Sequence, residues 1–254
     1  MNTYTLGIDI GSTTVKIAIL DENDRLLFAD YERHFANIQE TLADLLEKAE
    51  KQLGEMTLCP VITGSGGLTL ANHLEIPFVQ EVIAVSTSLQ KMAPQTDVAI
   101  ELGGEDAKII FLSGGLEERM NGSCAGGTGA FIDQMATLLS ITPEEMDELS
   151  LKHERIYPIA SRCGVFAKTD IQPLLNQGAR KEDVSASIFQ AVVDQTVTGL
   201  SQGRKIEGKV LFLGGPLFFF KGLQERFAET LKLSKENAVF PSWAQYSVAI
   251  GTAI

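Results

Sequence analysis

The fold of this chain is decided by the stretch TLGIDIG (Thr5–Gly11), which continues through the turn STT into VKIAIL (Val15–Leu20). Two apolar runs joined by a short turn of small residues are typical of adjacent strands in a buried sheet. Asp9 lies near the end of the first strand, where its carboxylate could hold a hydrated Mg²⁺ ion. The backbone N–H groups and hydroxyls of the turn could bind a phosphate, although a simple hairpin turn is the alternative. The spacing of a Walker A loop is absent.

The same order of elements is repeated later in the chain. An apolar strand predicted over Asp97–Leu102 has Glu101 near its end, a turn of two glycines follows, and Ala107–Leu112 returns. A third strand is predicted after each pair, over Arg25–Tyr31 and Leu116–Met120. A duplicated three-strand unit with an acid and glycines at its first turn is far more informative than one hairpin.

Further elements follow from hydrophobic periodicity and turn residues. The predicted helices are Asn37–Leu53, Glu81–Met92, a helix that begins with a capping box at Thr142, Ser185–Leu200 and Tyr246–Ile254. Strands are predicted at Leu58–Ile62 and Pro77–Val79, and Cys59 in the first of them is expected to pack in the interior. Another strand, VLFLGGP (Val210–Pro216), ends in a glycine turn that suits close approach of a flat or charged ligand.

Two other cysteines lie in glycine-rich surroundings. Cys124 belongs to NGSCAGGTG (Asn121–Gly129), which leads into a helical pattern, and Cys163 belongs to SRCGVF (Ser161–Phe166), which leads into another. The start of a helix favours the thiolate form of a cysteine, and the thiolate is the form that binds metals. A buried structural cysteine is the alternative for either position alone, and two similar settings in one chain weaken it.

Composition narrows the class of protein. The chain has 254 residues, of which 44% are hydrophobic and 21% charged, so it is globular and long enough for two lobes. Its net charge of −12 disfavours a nucleic-acid surface. An odd number of cysteines argues against a disulfide framework, and the N-terminus lacks the features of a signal peptide, which together predict a reducing cytoplasm. The apolar pattern that runs to Ile254 favours a domain of a longer polypeptide.

By these motifs the chain resembles the acetate kinase, sugar kinase, Hsp70 and actin ATPase superfamily. The two glycine turns of the repeat, the Gly214–Pro216 turn and the segment AIGTA (Ala249–Ala253) carry this resemblance. It implies an α/β fold of two ribonuclease H-like lobes with a duplicated mixed sheet. The first lobe would be residues 1–94, completed by the C-terminal helix 244–254, and the second would be residues 95–243.

The cysteine motifs narrow the resemblance further. NGSCAGGTG and CGVF are similar to the activator (component A) of 2-hydroxyacyl-CoA dehydratases, within the BadF/BadG/BcrA/BcrD-type ATPases that include the ATPase subunits of benzoyl-CoA reductase. This implies a homodimer with one bridging 4Fe-4S cluster held by Cys124 and Cys163 of both subunits. ATP hydrolysis would drive an electron, received from ferredoxin or flavodoxin, onto a partner acyl-CoA dehydratase or reductase. Lobe closure would reorient the helices around the cluster.

The cysteine pattern is compatible with that site. Two distant cysteines without a Cys-x-x-Cys cannot complete a four-thiolate site in one chain, but two chains can. Zinc is a weaker alternative. A small-molecule kinase of sugar type on the same fold is the alternative function, and a nucleotide-sensing or filament-forming module is a third.

The resemblance also assigns individual residues. Asp9 and Glu101 are the candidate catalytic acids, which would place Mg²⁺ and the attacking water. The candidate ligands of ATP and Mg²⁺ lie in the glycine turns and beside them, and they are Asp9, Gly11, Ser12, Thr13, Thr14, Lys16, Gly103, Gly104, Glu105, Gly127, Thr128, Gly214, Gly215 and Pro216. Lys16 could instead be a solvated lysine on a strand.

Two positions depart from the usual pattern of the family. Glu101 stands where the family usually has Asp, which moves the carboxylate by about one methylene. Ser123 stands where Lys or Asp is common. The identity of the partner's substrate stays open.

Overall fold

The computed structural model describes residues 3–121, 126–160 and 164–254, and these form two compact units. The first unit contains Met1–Gln95 and Gln245–Ile254, and the second contains Thr96–Ala244. Cys124 and Cys163 lie outside the described residues.

Three consecutive strands come first in each unit, and helices with further strands follow them. The strands are β1 (Thr3–Ile10), β2 (Thr14–Leu20), β3 (Leu26–Arg33), β4 (Thr57–Thr63), β5 (Val98–Leu102), β6 (Ala107–Phe111), β7 (Glu117–Met120), β8 (Val210–Leu213) and β9 (Ala238–Val239). The helices are α1 (Ile38–Leu53), α2 (Gly67–Leu74), α3 (Glu81–Met92), α4 (Gly129–Leu139), α5 (Pro143–Ser150), α6 (Gly164–Asn176), α7 (Lys181–Ser201), α8 (Gly215–Phe219), α9 (Lys221–Thr230) and α10 (Ser247–Ala253).

The sheet of the first unit has the strand order β3-β2-β1-β4. β1 pairs antiparallel with β2 and parallel with β4, and β2 pairs antiparallel with β3. One face of β1 presents Leu6, Ile8 and Ile10 to a core that includes Leu42 and Leu45 of α1. Because successive side chains of a strand point to opposite faces, Gly7 and Asp9 lie on the other face of the sheet.

The second unit repeats this arrangement around a larger core. Its sheet has the order β7-β6-β5-β8-β9, in which β5 pairs antiparallel with β6 and parallel with β8. Val98, Ile100 and Leu102 of β5 pack into a core with residues of α4, α7 and α9. Phe212 of β8 contributes a ring that stacks on Phe240, with 4.5 Å between their centroids.

Most of the predicted elements are confirmed. Both copies of the three-strand unit form, and each is extended by a parallel strand on the other side of its first strand. The capping box at α5 is present, since Thr142 Oγ1 accepts a hydrogen bond from the Glu145 amide and Glu145 Oε2 accepts one from the Thr142 amide. β9 was not predicted, because two residues carry no measurable periodicity.

Two predictions are wrong in detail. Cys59 is exposed rather than packed in the interior, because it lies in the first half of the edge strand β4, which becomes buried only at its far end, at Ile62 and Thr63. The predicted strand at Pro77–Val79 is reduced to one isolated bridge between Ile62 and Phe78. Over the described parts of the chain, no helix has the length and apolar character needed to cross a membrane.

Glycine permits unusually close packing of α10 in the first unit. A Cβ atom added at Gly7 of β1 would lie 1.9 Å from the carbonyl oxygen of Ala249. A Cβ at Gly251 would lie 1.7 Å from the carbonyl oxygen of Ala84 in α3. In both cases the obstacle is backbone, which cannot rotate away as a side chain can. The C-terminal helix is therefore locked between β1 and α3 by two glycines.

We expect Gly251→Ala to lower the free energy of unfolding by about 3 kcal/mol, because the added methyl group must push α10 away from α3. Gly199→Ala is the matched control: Gly199 lies in α7, and its nearest neighbour is the end of the flexible Gln195 side chain at 3.2 Å. That variant should gain about 0.5 kcal/mol from better helix propensity. Urea denaturation of both variants checks this, and equal stabilities would contradict the packing described for α10.

Candidate functional site

Each unit buries one carboxylate–ammonium pair where its first two strands approach the turn. In the first unit Asp9 is directly opposite Lys16, and Lys16 Nζ lies 2.8 Å from Asp9 Oδ2. The two side chains are only 4% and 12% exposed, so Lys16 is not a solvated strand lysine. In the second unit Glu101 is directly opposite Lys108, with 3.7 Å between Nζ and Oε2. A buried charge is costly unless it is paired with an opposite charge. Each acid and lysine therefore offset part of each other's cost of burial.

The two pairs differ in closeness as well as in the acid. The Asp9 carboxylate forms a hydrogen bond with Lys16, whereas Glu101 and Lys108 are separated by more than a normal hydrogen-bond distance. Glutamate has one more methylene than aspartate, and Glu101 is nevertheless buried.

The turn of the first unit is held tightly by backbone contacts. The Gly11 amide donates to the Thr14 carbonyl at 2.9 Å, and the Gly66 amide donates to the Ile10 carbonyl at 2.9 Å. Gly64 has φ of +96°, and a Cβ there would lie 2.2 Å from the Ile10 oxygen. Ser12 is exposed and Thr14 is buried. The loop after β4 thus supports the candidate phosphate turn from one side.

Three glycine turns of the second unit converge at the end of β5. The amides of Gly129 and Ala130 donate to the carbonyls of Gly103 and Gly104 at 3.0 and 2.7 Å, so α4 begins directly on the candidate phosphate turn. A Cβ at Gly129 would also lie 3.4 Å from Cγ of Pro216. The structure therefore brings together predicted residues that are far apart in the sequence.

Gly214 completes this convergence. Its φ is +90°, and a Cβ at this position would lie 2.0 Å from the carbonyl oxygen of Leu102. Thr128, the residue before α4, is fully buried, whereas Glu105 is exposed. The sequence prediction included the neighbours of Gly129 but not Gly129 itself, although its place in the glycine motif was a signal for it.

The chain on either side of both cysteines is firmly placed in the second unit. Asn121 precedes the first stretch outside the described residues, and its side-chain oxygen accepts a hydrogen bond from the Ala107 amide at 2.8 Å. α6 begins at Gly164, the residue after Cys163. A Cβ at Gly164 would lie 2.0 Å from Oε1 of Gln134 in α4. The beginning of α6 is therefore packed on the second turn of α4.

These surroundings suit thiolate ligands. The backbone N–H groups at the beginnings of α4 and α6 carry partial positive charge, which favours an anionic sulfur or a negatively charged cluster nearby. In the sequence, Cys163 comes directly before α6, and Cys124 comes five residues before the start of α4. Among the described residues, no three His, Cys, Asp or Glu side chains are grouped so that they could hold a metal ion.

The segment that leads to Cys163 is tied to helices through its amides. Asp183 Oδ1 accepts hydrogen bonds from the amides of Glu154 and Arg155 at 2.7 and 3.1 Å. Further along, Asp170 Oδ2 accepts one from the Ala160 amide at 2.8 Å. Burial raises the pKa of Asp183, but the hydrogen bonds and nearby guanidinium groups outweigh it, so that the pKa is lowered and the carboxylate stays ionised. Sequence patterns did not reveal these tethers.

Solved structures with the same fold define the class of protein. A ROK family glucokinase from Streptomyces griseus covers 98% of this chain with a TM-score of 0.57 at 14% identity, which shows the fold alone. The chain therefore has the fold of the actin, Hsp70 and sugar-kinase ATPases, as the sequence predicted.

Closer similarity identifies the family. The sequence profile of the BadF/BadG/BcrA/BcrD ATPase family matches residues 6–254, and the chain belongs to this family. The (R)-2-hydroxyglutaryl-CoA dehydratase activating ATPase of Acidaminococcus fermentans is 28% identical over 259 residues, which cover 100% of this chain and 97% of that protein. A benzoyl-CoA reductase subunit of Thauera aromatica is 25% identical, over 99% of this chain and 92% of the relative.

Two solved structures of activators agree with this assignment. Component A of the Acidaminococcus fermentans dehydratase has a TM-score of 0.86 at 28% identity, and the match covers 99% of this chain and 96% of that one. The activator of the 2-hydroxyisocaproyl-CoA dehydratase from Clostridium difficile, with bound ADPNP, has a TM-score of 0.86 at 27% identity, over 98% of this chain and 92% of that one.

Proposed function

We propose that this protein is an ATP-dependent electron-transfer activator. A homodimer would hold one 4Fe-4S cluster between its subunits and couple ATP hydrolysis to one-electron reduction of a partner acyl-CoA dehydratase or reductase. Ferredoxin or flavodoxin would supply the electron. The observation that supports this most is the packing of α4, whose first residue contacts the glycine turn beside Glu101 while its second turn contacts the residue after Cys163.

ATP binding would use both repeats of the strand unit. The N–H groups of the turns at Gly11–Thr14 and Gly103–Gly104 would bind phosphate oxygens, and Gly214–Pro216 would approach the adenosine. Asp9 and Glu101 would place Mg²⁺ and the attacking water. Phosphoryl transfer to water needs positioning and charge stabilisation rather than a covalent intermediate, and preorganised backbone donors provide both.

The proposal gives Lys16 and Lys108 a role that differs from that of the two acids. Lys16 and Lys108 balance the negative charges of the neighbouring carboxylates, which would be costly to bury alone. A carboxylate oxygen can accept a hydrogen bond from a metal-bound water. Lys16 is also within 5.9 Å of the centre of the Tyr31 ring, which helps to fix its direction.

Cys124 and Cys163 of two subunits would be the four ligands of the cluster. When bound, the cluster would supply a low-potential one-electron carrier. The beginnings of α4 and α6 would stabilise its negative charge through their N–H groups. α4 begins at the glycine turn beside Glu101, and its second turn contacts the residue after Cys163. A movement of the glycine turn on ATP hydrolysis would therefore shift α4 and, through it, the residues that flank the cysteines.

Among the residues that the structure describes, no specific contact favours the alternative of a sugar-type kinase. Such an enzyme needs an aspartate aimed at a substrate hydroxyl, and Asp170 already accepts the Ala160 amide. Its fold is shared, but fold alone does not define the substrate.

The role of the two acids is tested by ATP hydrolysis. We expect Asp9→Asn and Glu101→Gln each to lower kcat roughly 100-fold, because each removes a charge that places Mg²⁺ or water. Glu101→Asp should keep much of the activity, since the family usually has Asp at this position. Asp30→Asn is the control, because Asp30 lies on β3, and its carboxylate accepts hydrogen bonds from the exposed Lys48 and from the Tyr31 amide rather than from the candidate phosphate turn. Full activity in Asp9→Asn would contradict the assignment.

The role of the two cysteines is tested by anaerobic reconstitution with iron and sulfide. We expect about four irons per dimer in the wild type and a loss of most of this iron in Cys124→Ser and in Cys163→Ser. Cys59→Ser is the matched control, because Cys59 is exposed on β4 and belongs to the other unit. Iron content and the EPR signal after reduction are the measurements. Equal iron in all three variants would contradict the bridging cluster.

A further inference from the structure

We infer that His34 is a positioning residue for the candidate phosphate turn of the first unit. His34 follows β3 and is only 8% exposed. Neither the sequence patterns nor the proposed chemistry assigned a role to it. The inference rests on the proposed function, since it concerns the turn that would bind the nucleotide phosphates.

His34 contacts the turn through both its ring and its backbone. The Nε2 atom lies 3.2 Å from the carbonyl oxygen of Gly11, and the backbone amide donates to the carbonyl of Thr13 at 3.2 Å. Two carbonyls of one short turn are therefore held by a single residue. The turn is held from another direction by the Gly66 amide on Ile10.

The contacts of the ring determine its tautomer. The Ala36 amide lies 3.0 Å from Nδ1 and can only donate, so Nδ1 must accept. A carbonyl oxygen can only accept, so the Nε2 atom that faces Gly11 must carry the hydrogen. Both partners require the same neutral tautomer, with hydrogen on Nε2. Protonation of Nδ1 would remove the bond to Ala36.

Holding the carbonyls also fixes the directions of amides. The described peptide bonds are all trans, and in a trans peptide the C=O of one residue and the N–H of the next point in opposite directions. When His34 binds the Gly11 carbonyl, the Ser12 amide is directed away from His34. The Thr13 carbonyl fixes the Thr14 amide in the same way. Amides fixed in advance bind an anion without the cost of ordering them.

The two residues after His34 have an unusual backbone conformation, which allows a hydrogen bond to the His34 ring. Phe35 and Ala36 have φ of +42° and +69°, in a region that residues other than glycine rarely adopt. This conformation returns the Ala36 amide to Nδ1 of His34 and leaves the Phe35 side chain 79% exposed, so no burial of Phe35 compensates for it. Strained backbone of this kind persists only where surrounding contacts maintain it. Here the contacts are those of His34.

Two substitutions separate the two ring nitrogens. His34→Gln places an amide nitrogen near the Nε2 position and keeps a donor for Gly11, but it loses the Nδ1 acceptor. His34→Asn keeps an acceptor near Nδ1 and cannot reach Gly11. We expect His34→Asn to weaken the binding of Mg·ADP about tenfold and His34→Gln less than about threefold, as measured by titration calorimetry. His73→Gln, at an exposed position of α2, should leave the affinity unchanged.

The outcomes distinguish positioning from a general structural role. A merely structural role would weaken nucleotide binding equally in the two variants, in parallel with their melting temperatures, and that result would overturn the inference. Long-range proton–nitrogen NMR correlations of the imidazole supply a second test, without nucleotide: hydrogen on Nε2 is expected, and hydrogen on Nδ1 would overturn it. If the wild type itself fails to bind Mg·ADP, the proposed function is wrong and this inference fails with it.

Discussion

The buried ion pair at the end of the first strand is the constraint on which each unit depends. A sheet interior excludes charge, yet Asp9 and Lys16 face each other there, and Glu101 and Lys108 do so at the equivalent place. The pairs persist because each charge has its partner and because the glycine turns next to them leave the carboxylate near the end of its strand. The glycines allow other segments of backbone to approach the carboxylate closely.

Close contact between segments of backbone is the second feature of the structure. It explains why glycine is required at particular positions, which the composition alone could not show. Gly214 lies against the Leu102 carbonyl, Gly7 of β1 lies against Ala249 of the C-terminal helix, and Gly251 of that helix lies against Ala84 of α3. In each case a methyl group would overlap with main-chain atoms. These three glycines are far apart in the sequence, but each lies where one segment of backbone packs closely on another.

The sequence was a good guide where a local pattern has one structural meaning. The apolar runs around Asp9 and Glu101 predicted paired strands, and Thr142 with Glu145 predicted a capping box, because these features depend only on near neighbours in the chain. It was a poor guide where tertiary context decides. Cys59 was predicted to be buried from its apolar neighbours, but it lies in the exposed first half of an edge strand.

The candidate site shows the same division. The turn residues were predicted from glycine and acid patterns, but Gly64, Asp183 and His34 were not, because each acts on a segment that only the fold brings near. Single polar residues after a strand have many possible partners. A pattern within one sequence cannot choose between them, whereas the hydrogen bond of His34 to Gly11 does.

The central claim of the proposed function is that ATP controls the transfer of the electron from the cluster to the partner enzyme. The most direct measurement is the rate at which the reduced, reconstituted dimer is oxidised after rapid mixing with a 2-hydroxyacyl-CoA dehydratase, with Mg·ATP or with no nucleotide. The account predicts fast oxidation with Mg·ATP, accompanied by hydrolysis, and little oxidation without it. Equal rates in the two conditions would contradict the claim that ATP hydrolysis drives the transfer.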